Sequence, residues 1–238
     1  LRRHGVTTRF GGIVSKLPLV LIHGGGFDAR CWDLLLPMLD QPVAAVDLPG
    51  RGAHPMDLRS VSFADCANSV EADLDAAGFD RAILVGHSLA GCSMPTIAET
   101  LGDRCAGMVF LACTVPEDGS SAIDTLDPAV QELARSAPSD AEPQALSGEM
   151  AALVLGSDLS EEQVAWCLER TVAEAPRLSF DPVSLAPFRE QRVPRRWIRT
   201  LRDEIVPAEK QSRFASNVGD CSVVNLDAGH MAMVSHPE

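Results

Sequence analysis

The residues of this chain best able to do covalent chemistry are Ser88, His230 and Asp203, and they lie far apart in sequence. Ser88 stands in Gly86-His87-Ser88-Leu89-Ala90-Gly91, after the apolar run Ala82-Ile83-Leu84-Val85 and before a segment of helical period. A strand-to-helix turn this sharp crowds the neighbours of its central residue, so glycine is wanted two places to either side. Gly86 meets that demand; on the other side Ala90 takes the place and Gly91 follows, a small departure that a methyl group allows. Such a turn would expose the Ser88 hydroxyl at the positive end of the following helix. The ordinary alternative is a surface turn, and the flanking strand and helix patterns weigh against it.

A serine hydroxyl is a poor nucleophile until a base takes its proton. Of the six histidines, His230 has the best claim, in the glycine-hinged stretch Asp227-Ala228-Gly229-His230-Met231 after the last apolar run. His87 points away from Ser88 by chain direction and His23 sits in a glycine turn, so structural roles are expected for both. His4, His54 and His236 have no supporting context. The base needs a carboxylate to fix its tautomer and stabilise the imidazolium. Asp203, in Arg202-Asp203-Glu204-Ile205-Val206-Pro207, follows an apolar run; Glu204 is its nearest competitor, and Glu117 or Asp118 a second. A tetrahedral intermediate also needs backbone donors. The amides of Gly25, in His23-Gly24-Gly25-Gly26, and of Leu89 are the candidates, and losing one such donor costs about 3 kcal/mol. A phosphate-binding loop is the alternative for these glycines, but no Lys-Ser/Thr follows them.

These residues must be positioned by alternating elements. Short apolar runs at 17–22, 43–48, 82–85, 107–112, 196–201 and 222–226 alternate with segments of helical period, the pattern of an α/β fold with a mostly parallel sheet covered on both faces. Ser62 and Asp65 have capping-box spacing ahead of a helix reaching about Ala77, which Gly78 ends. Open sheets of this kind bind ligands at the carboxyl ends of their strands, where all the motifs above fall. Residues 116–187 break the alternation. Ser160 and Gln163 form another capping box there, with Val164, Cys167, Leu168 and Val172 at helical spacing. The expectation is a core of residues 1–115 and 188–238 with a helical cap or lid inserted at 116–187. Pocket walls are expected from Gly24, Gly26, Phe27, Leu89, Met231 and the insert, including Trp166; for Phe27, Trp166 and Met233 core packing is the plainer reading.

Composition narrows the function classes. A net charge of −13 and a pI near 4.8 repel phosphate backbones and anionic lipid, which disfavours nucleic-acid and membrane partners. With no long apolar span or leader-like start, a soluble cytoplasmic protein is expected. Seven scattered cysteines without a CxxC suggest reduced, buried thiols, and the histidines show no metal-ligand spacing, so no metal or cofactor is expected. The chain starts without methionine and stops where a closing helix would begin, so further terminal segments are expected. A homodimer is allowed by the sequence but not specified.

With these motifs placed, the sequence resembles the α/β-hydrolases, and within them the plant methylesterases and hydroxynitrile lyases. The resemblance spans nearly the whole chain: the HGGG loop with Cys31-Trp32 after it, Asp47-Leu48-Pro49-Gly50-Arg51-Gly52, GHSLAG, Val109-Phe110-Leu111-Ala112 leading to Pro116, Asp203 to Pro207, and Gly229-His230-Met231-Ala232-Met233. It implies the order nucleophile, acid, base for Ser88, Asp203 and His230. In the lyases of that group a lysine follows the base and a threonine follows the loop histidine; Met231 and Gly24 stand there instead. The resemblance therefore implies a serine esterase acting on a small carboxylic ester or lactone. The alternatives are a slowly turning-over ligand-binding receptor of the same fold, and a biosynthetic lyase or cyclase reusing the oxyanion hole.

Overall fold

The computed structural model describes residues 16–136, 142, 143, 145, 155 and 157–238. The apolar runs form a six-stranded sheet, β1 (Leu19–Ile22), β2 (Val43–Val46), β3 (Ala82–His87), β4 (Cys105–Leu111), β5 (Arg195–Thr200) and β6 (Ser222–Leu226), in the order β2-β1-β3-β4-β5-β6. Every pairing is parallel. The unbroken apolar runs of β1 to β4 suit this arrangement, because a parallel sheet is covered on both faces, whereas β5 carries three arginines and the edge strand β6 is exposed. The pleat sends alternate residues of one strand to different cores. Val20 and Ile22 join Leu84, Met108 and Phe110 in the cluster under the helices α1 (Phe63–Ala76) and α2 (Ala90–Leu101), whereas Leu19 and Leu21 join Trp32, Cys167 and Met231 on the other face. Each buried Leu or Ile contributes about 2 kcal/mol.

Helix α1 begins at the expected capping box, Ser62 and Asp65 each bonding the other's backbone amide, and gives way at Gly78, whose φ of +68° suits glycine. The strand ends differ from expectation by one or two residues for identifiable reasons. β2 stops at Val46 because the Leu48 amide donates to His23 Nε2, and β5 stops at Thr200, Leu201 being 46% exposed.

Between β4 and β5 the described residues contain no strand. They form α3 (Pro128–Ser136), α4 (Glu161–Leu168), α5 (Arg177–Phe180) and α6 (Ala186–Glu190), the last straddling the expected boundary at 187. The rest of the insert (137–141, 144, 146–154 and 156) lies outside the described residues, as do residues 1–15. The Ser160–Gln163 capping box is present, but α4 ends at Leu168 instead of carrying on to Val172. The Val172 amide leaves the helical ladder and donates to Gly26 O at 2.8 Å. After β5 come α7 (Ala208–Asn217) and, beyond β6, the single turn α8 (Ala232–Ser235).

Chain order reverses direction across the sheet between β1 and β3, since β2 lies to one side and β4 to the other. A crevice at the carboxyl ends of the strands on either side of that switch is the general ligand site of open α/β sheets. The glycine loop follows β1 and Ser88 follows β3.

Candidate active site

Ser88 has a φ of +53°, the left-handed conformation that costs a side-chain-bearing residue about 1–2 kcal/mol. The surrounding backbone holds it there: its amide donates to Leu111 O at 3.1 Å, and its carbonyl accepts from Gly91 N at 3.1 Å and Thr114 N at 2.9 Å. Both glycines of the motif are required by packing. A Cβ on Gly86 would lie 2.1 Å from Met94 Sδ, and one on Gly91 would lie 2.4 Å from the backbone oxygen of Thr114.

The structure brings Ser88, His230 and Asp203 into one hydrogen-bonded line. Ser88 Oγ is 2.9 Å from His230 Nε2, and His230 Nδ1 is 2.8 Å from Asp203 Oδ2. Asp203 is buried at the end of β5, where its Oδ1 accepts from the amides of Ile205 and Val206 and its Oδ2 from Thr200 Oγ1. Burial works to raise its pKa, but the His230 contact, the Val206 amide and the Thr200 hydroxyl outweigh it and hold the carboxyl below the usual range. Gln211, wholly buried on α7, donates to Thr200 O, Thr200 Oγ1 and Val206 O while accepting from Trp197 Nε1. It therefore fixes the turn that carries Asp203. Of the competing carboxylates, Glu204 and Glu117 are exposed, and Asp118 accepts from the Leu185 amide.

The other histidines do different work. His87 donates from Nε2 to His230 O at 3.0 Å, and its ring packs 4.7 Å from that of His230, bracing that residue. Burial, aided by the charge of His230, pushes its pKa down to about 3. His23 accepts from Leu48 N on Nε2, so its Nδ1 carries the proton and donates to Gly24 O at 2.9 Å. Burial and then Arg51 push its pKa down to about 4. His54 pairs with Asp73 and His236 bonds Ser235. His4 lies outside the described residues.

The glycine loop abuts the serine. A Cβ on Gly24 would lie 2.9 Å from Ser88 Cβ, and one on Gly25 would lie 3.0 Å from Leu89 Cδ2. Gly26, at φ +72°, donates its amide to Glu174 Oε2 at 2.7 Å. The amides of Gly25 and Leu89 meet no acceptor among the described residues. A narrow cavity beside them is lined by Gly24, Gly25, Leu48, Leu89, Glu174 and Leu178, among others. Phe27 and Met231, candidates for its wall, are instead buried with Met233 in the apolar cluster on the second face of the sheet, and the Trp166 ring stacks on the Arg170 guanidinium, 3.8 Å from its centroid.

Three polar residues of the site were not read from the sequence: Gln211, Glu174 and Asp158. Asp158, almost wholly buried, accepts from Gly229 N at 2.6 Å and Ser235 Oγ at 2.8 Å and so shapes the loop bearing His230. A Cβ on Gly229 would lie 2.3 Å from Asp158 Oδ1. Only Gln211 had a sequence signal, as a polar residue sharing a helical stripe with Phe214 and Ala215.

Among the described residues no group of three or more His, Cys, Asp or Glu side chains could hold a metal ion, and no helix is long and apolar enough to cross a membrane. The seven cysteines are free, all but Cys221 buried.

The chain is 27% identical over 240 residues to polyneuridine aldehyde esterase of Rauvolfia serpentina, covering 92% of this chain and 90% of that protein. It is 26% identical over 235 residues to a pyrethroid hydrolase of Sphingobium wenxiniae, covering 92% and 83%. Putative methylesterases of Arabidopsis thaliana are also among its relatives. Among solved structures, the pyrethroid hydrolase of Sphingobium faniae superposes with a TM-score of 0.75 at 26% identity over 93% of each chain. An extracellular α/β-hydrolase of a Paenibacillus species, described as sharing homology with tobacco salicylic acid binding protein 2, reaches 0.80 at 24% identity, over 93% of this chain and 94% of that one. The sequence pattern of the alpha/beta hydrolase family matches residues 19–238, and the chain belongs to that family.

Proposed function

We propose that this protein is a carboxylic ester hydrolase in which Ser88 is the nucleophile, His230 the general base and Asp203 the carboxylate that orients it. The observation that carries the proposal is the unbroken line from Ser88 Oγ through both nitrogens of His230 to Asp203, with contacts of 2.9 and 2.8 Å. Relatives named as esterases, methylesterases and a pyrethroid hydrolase support ester hydrolysis as the reaction class.

In this mechanism the Ser88 oxygen attacks the ester carbonyl carbon while its proton passes to His230 Nε2. Asp203 then faces an imidazolium through Nδ1, and its depressed pKa keeps it ionised for that task. The carbonyl oxygen, now negative, takes the free amides of Gly25 and Leu89. His230 returns the proton to the departing alkoxide, leaving an acyl-serine; a water deprotonated by His230 then releases the acid and restores Ser88. The insert at 116–187 serves as a cap over this edge of the core formed by 1–115 and 188–238. The substrate class is a small carboxylic ester or lactone.

A fluorophosphonate probe read by mass spectrometry, together with p-nitrophenyl and methyl esters of short acids, tests the proposal. Covalent labelling at Ser88 with multiple turnovers on a small ester is the expected result. Absence of labelling, or ester turnover that survives Ser88→Ala, would overturn it; labelling with negligible turnover would instead indicate the receptor alternative.

A further inference from the structure

Beside Gly25 three segments distant in sequence converge: the glycine loop after β1, the loop after β2 that carries Arg51, and the insert. Both polar groups of the Gly26 residue are taken by the insert, its amide by Glu174 Oε2 and its carbonyl by the Val172 amide. The other Glu174 oxygen accepts from the Ala175 amide and pairs with Arg51 Nη2. Glu174 Oε2 also lies 3.2 Å from where a Gly25 Cβ would be, so the carboxylate rests directly on the residue whose amide is free.

This placement settles one question and raises another. With the Gly26 amide committed, the donors left to the glycine loop are the amides of Gly24 and Gly25, so Glu174 takes one of the three peptides away from the substrate oxygen. Yet a carboxylate a few ångströms from a developing oxyanion would oppose the charge the site must stabilise. Arg51 answers that objection. Its side chain is only 2% exposed, and a guanidinium so far from water is retained only against a countercharge; here that countercharge is Glu174, itself 22% exposed.

We infer that Glu174 is a positioning residue for the oxyanion loop, and that Arg51 neutralises it so that the loop is held by a carboxylate without a net negative charge beside the reacting oxygen. The inference rests on the serine esterase mechanism proposed above and adds to it two residues that act through the loop backbone.

The test uses the full chain with p-nitrophenyl acetate, kcat being expressed per serine titrated by a fluorophosphonate so that misfolded protein does not count. Arg51→Met, which leaves the carboxylate uncompensated, is expected to lower kcat about 30- to 100-fold with KM within about twofold. Adding Glu174→Gln to that variant removes the stranded charge and keeps an acceptor oxygen for Gly26, and should recover about tenfold. Alone, Glu174→Gln should lose about threefold and Glu174→Ala tenfold or more. The inference is overturned if Arg51→Met keeps the parent kcat, or if the second substitution brings no recovery. Should both Arg51→Met proteins fail to fold, the Gln and Ala variants at 174 still decide it, since equal kcat values would deny the positioning role. Failure of the mechanism itself has a different signature, a parent protein that neither labels at Ser88 nor turns over, which overturns both.

Discussion

Ser88, strained into the left-handed region and tied down by three backbone hydrogen bonds, is the residue on which the proposed chemistry should depend most steeply. Ser88→Ala is expected to lower kcat on the order of a millionfold, measured with an ester at saturating concentration. Asp203→Asn should cost about 10⁴-fold, because an amide in that place can donate to Nδ1 and favour the wrong tautomer. Gln211→Leu makes a finer test. It deletes the amide that bonds Thr200 and Val206 on either side of Asp203, and about a tenfold loss of kcat with little change in KM is expected; an unchanged kcat would show that the turn holds without it. The residues now aligned were legible in the sequence because each sits in a local pattern with its own physical reason, a crowded turn for Ser88 and glycine-hinged or strand-terminal loops for His230 and Asp203. Asp158 and Glu174 were illegible for the opposite reason. Each acts on a backbone amide more than seventy residues away, and nothing in its own neighbourhood marks it.

At the scale of elements, strands β1 to β4 and the two capped helices were readable because apolar runs, capping boxes and helix-ending glycine are local causes. What misled was the helical spacing that places Val172 in line with the apolar residues of α4. Periodicity alone would carry that helix to Val172, but the bond from Val172 to Gly26 O competes with the helical ladder and wins. The junction of β3 and α2 offers a test in which two effects oppose each other. Gly91→Ala should gain up to about 1 kcal/mol from helix propensity, yet the new methyl would meet the Thr114 carbonyl at 2.4 Å, a backbone atom fixed by its place after β4. The steric term should prevail, with a net loss of about 2 kcal/mol in urea unfolding. Gly86→Ala meets a flexible methionine sulfur instead, so its loss should be smaller. Equal stabilities for the two variants would refute this account of the turn.

For the molecule as a whole, two of the three buried histidines predict how stability varies with pH. His87 and His23 have folded-state pKa values pushed down to about 3 and about 4, whereas in the unfolded chain each titrates near 6.5. Below about pH 6.5 the unfolded chain therefore takes up protons that the folded one refuses, so the stability these groups permit is complete above that pH and is lost as the pH falls toward 4. At pH 5 each can cost up to about 2 kcal/mol. Approach to the pI near 4.8 relieves the repulsion implied by a net charge of −13, but exposed charges are screened and contribute less. A urea midpoint clearly lower at pH 5 than at pH 7.5 is expected, and an equal or higher one would contradict the neutral burial of these rings.

Residues 157–174 hold both the glycine loop and the segment bearing His230, through Asp158 on Gly229, Gln163 on Val234 O, and Val172 and Glu174 on Gly26. Such a stretch could swing aside as a flap only by breaking these bonds, so in the proposed mechanism it acts as a fixed wall. For protein engineering this means that grafting the stretch from a relative would exchange the furniture of the reaction centre along with the walls of the pocket, and selectivity and turnover would have to be retuned together.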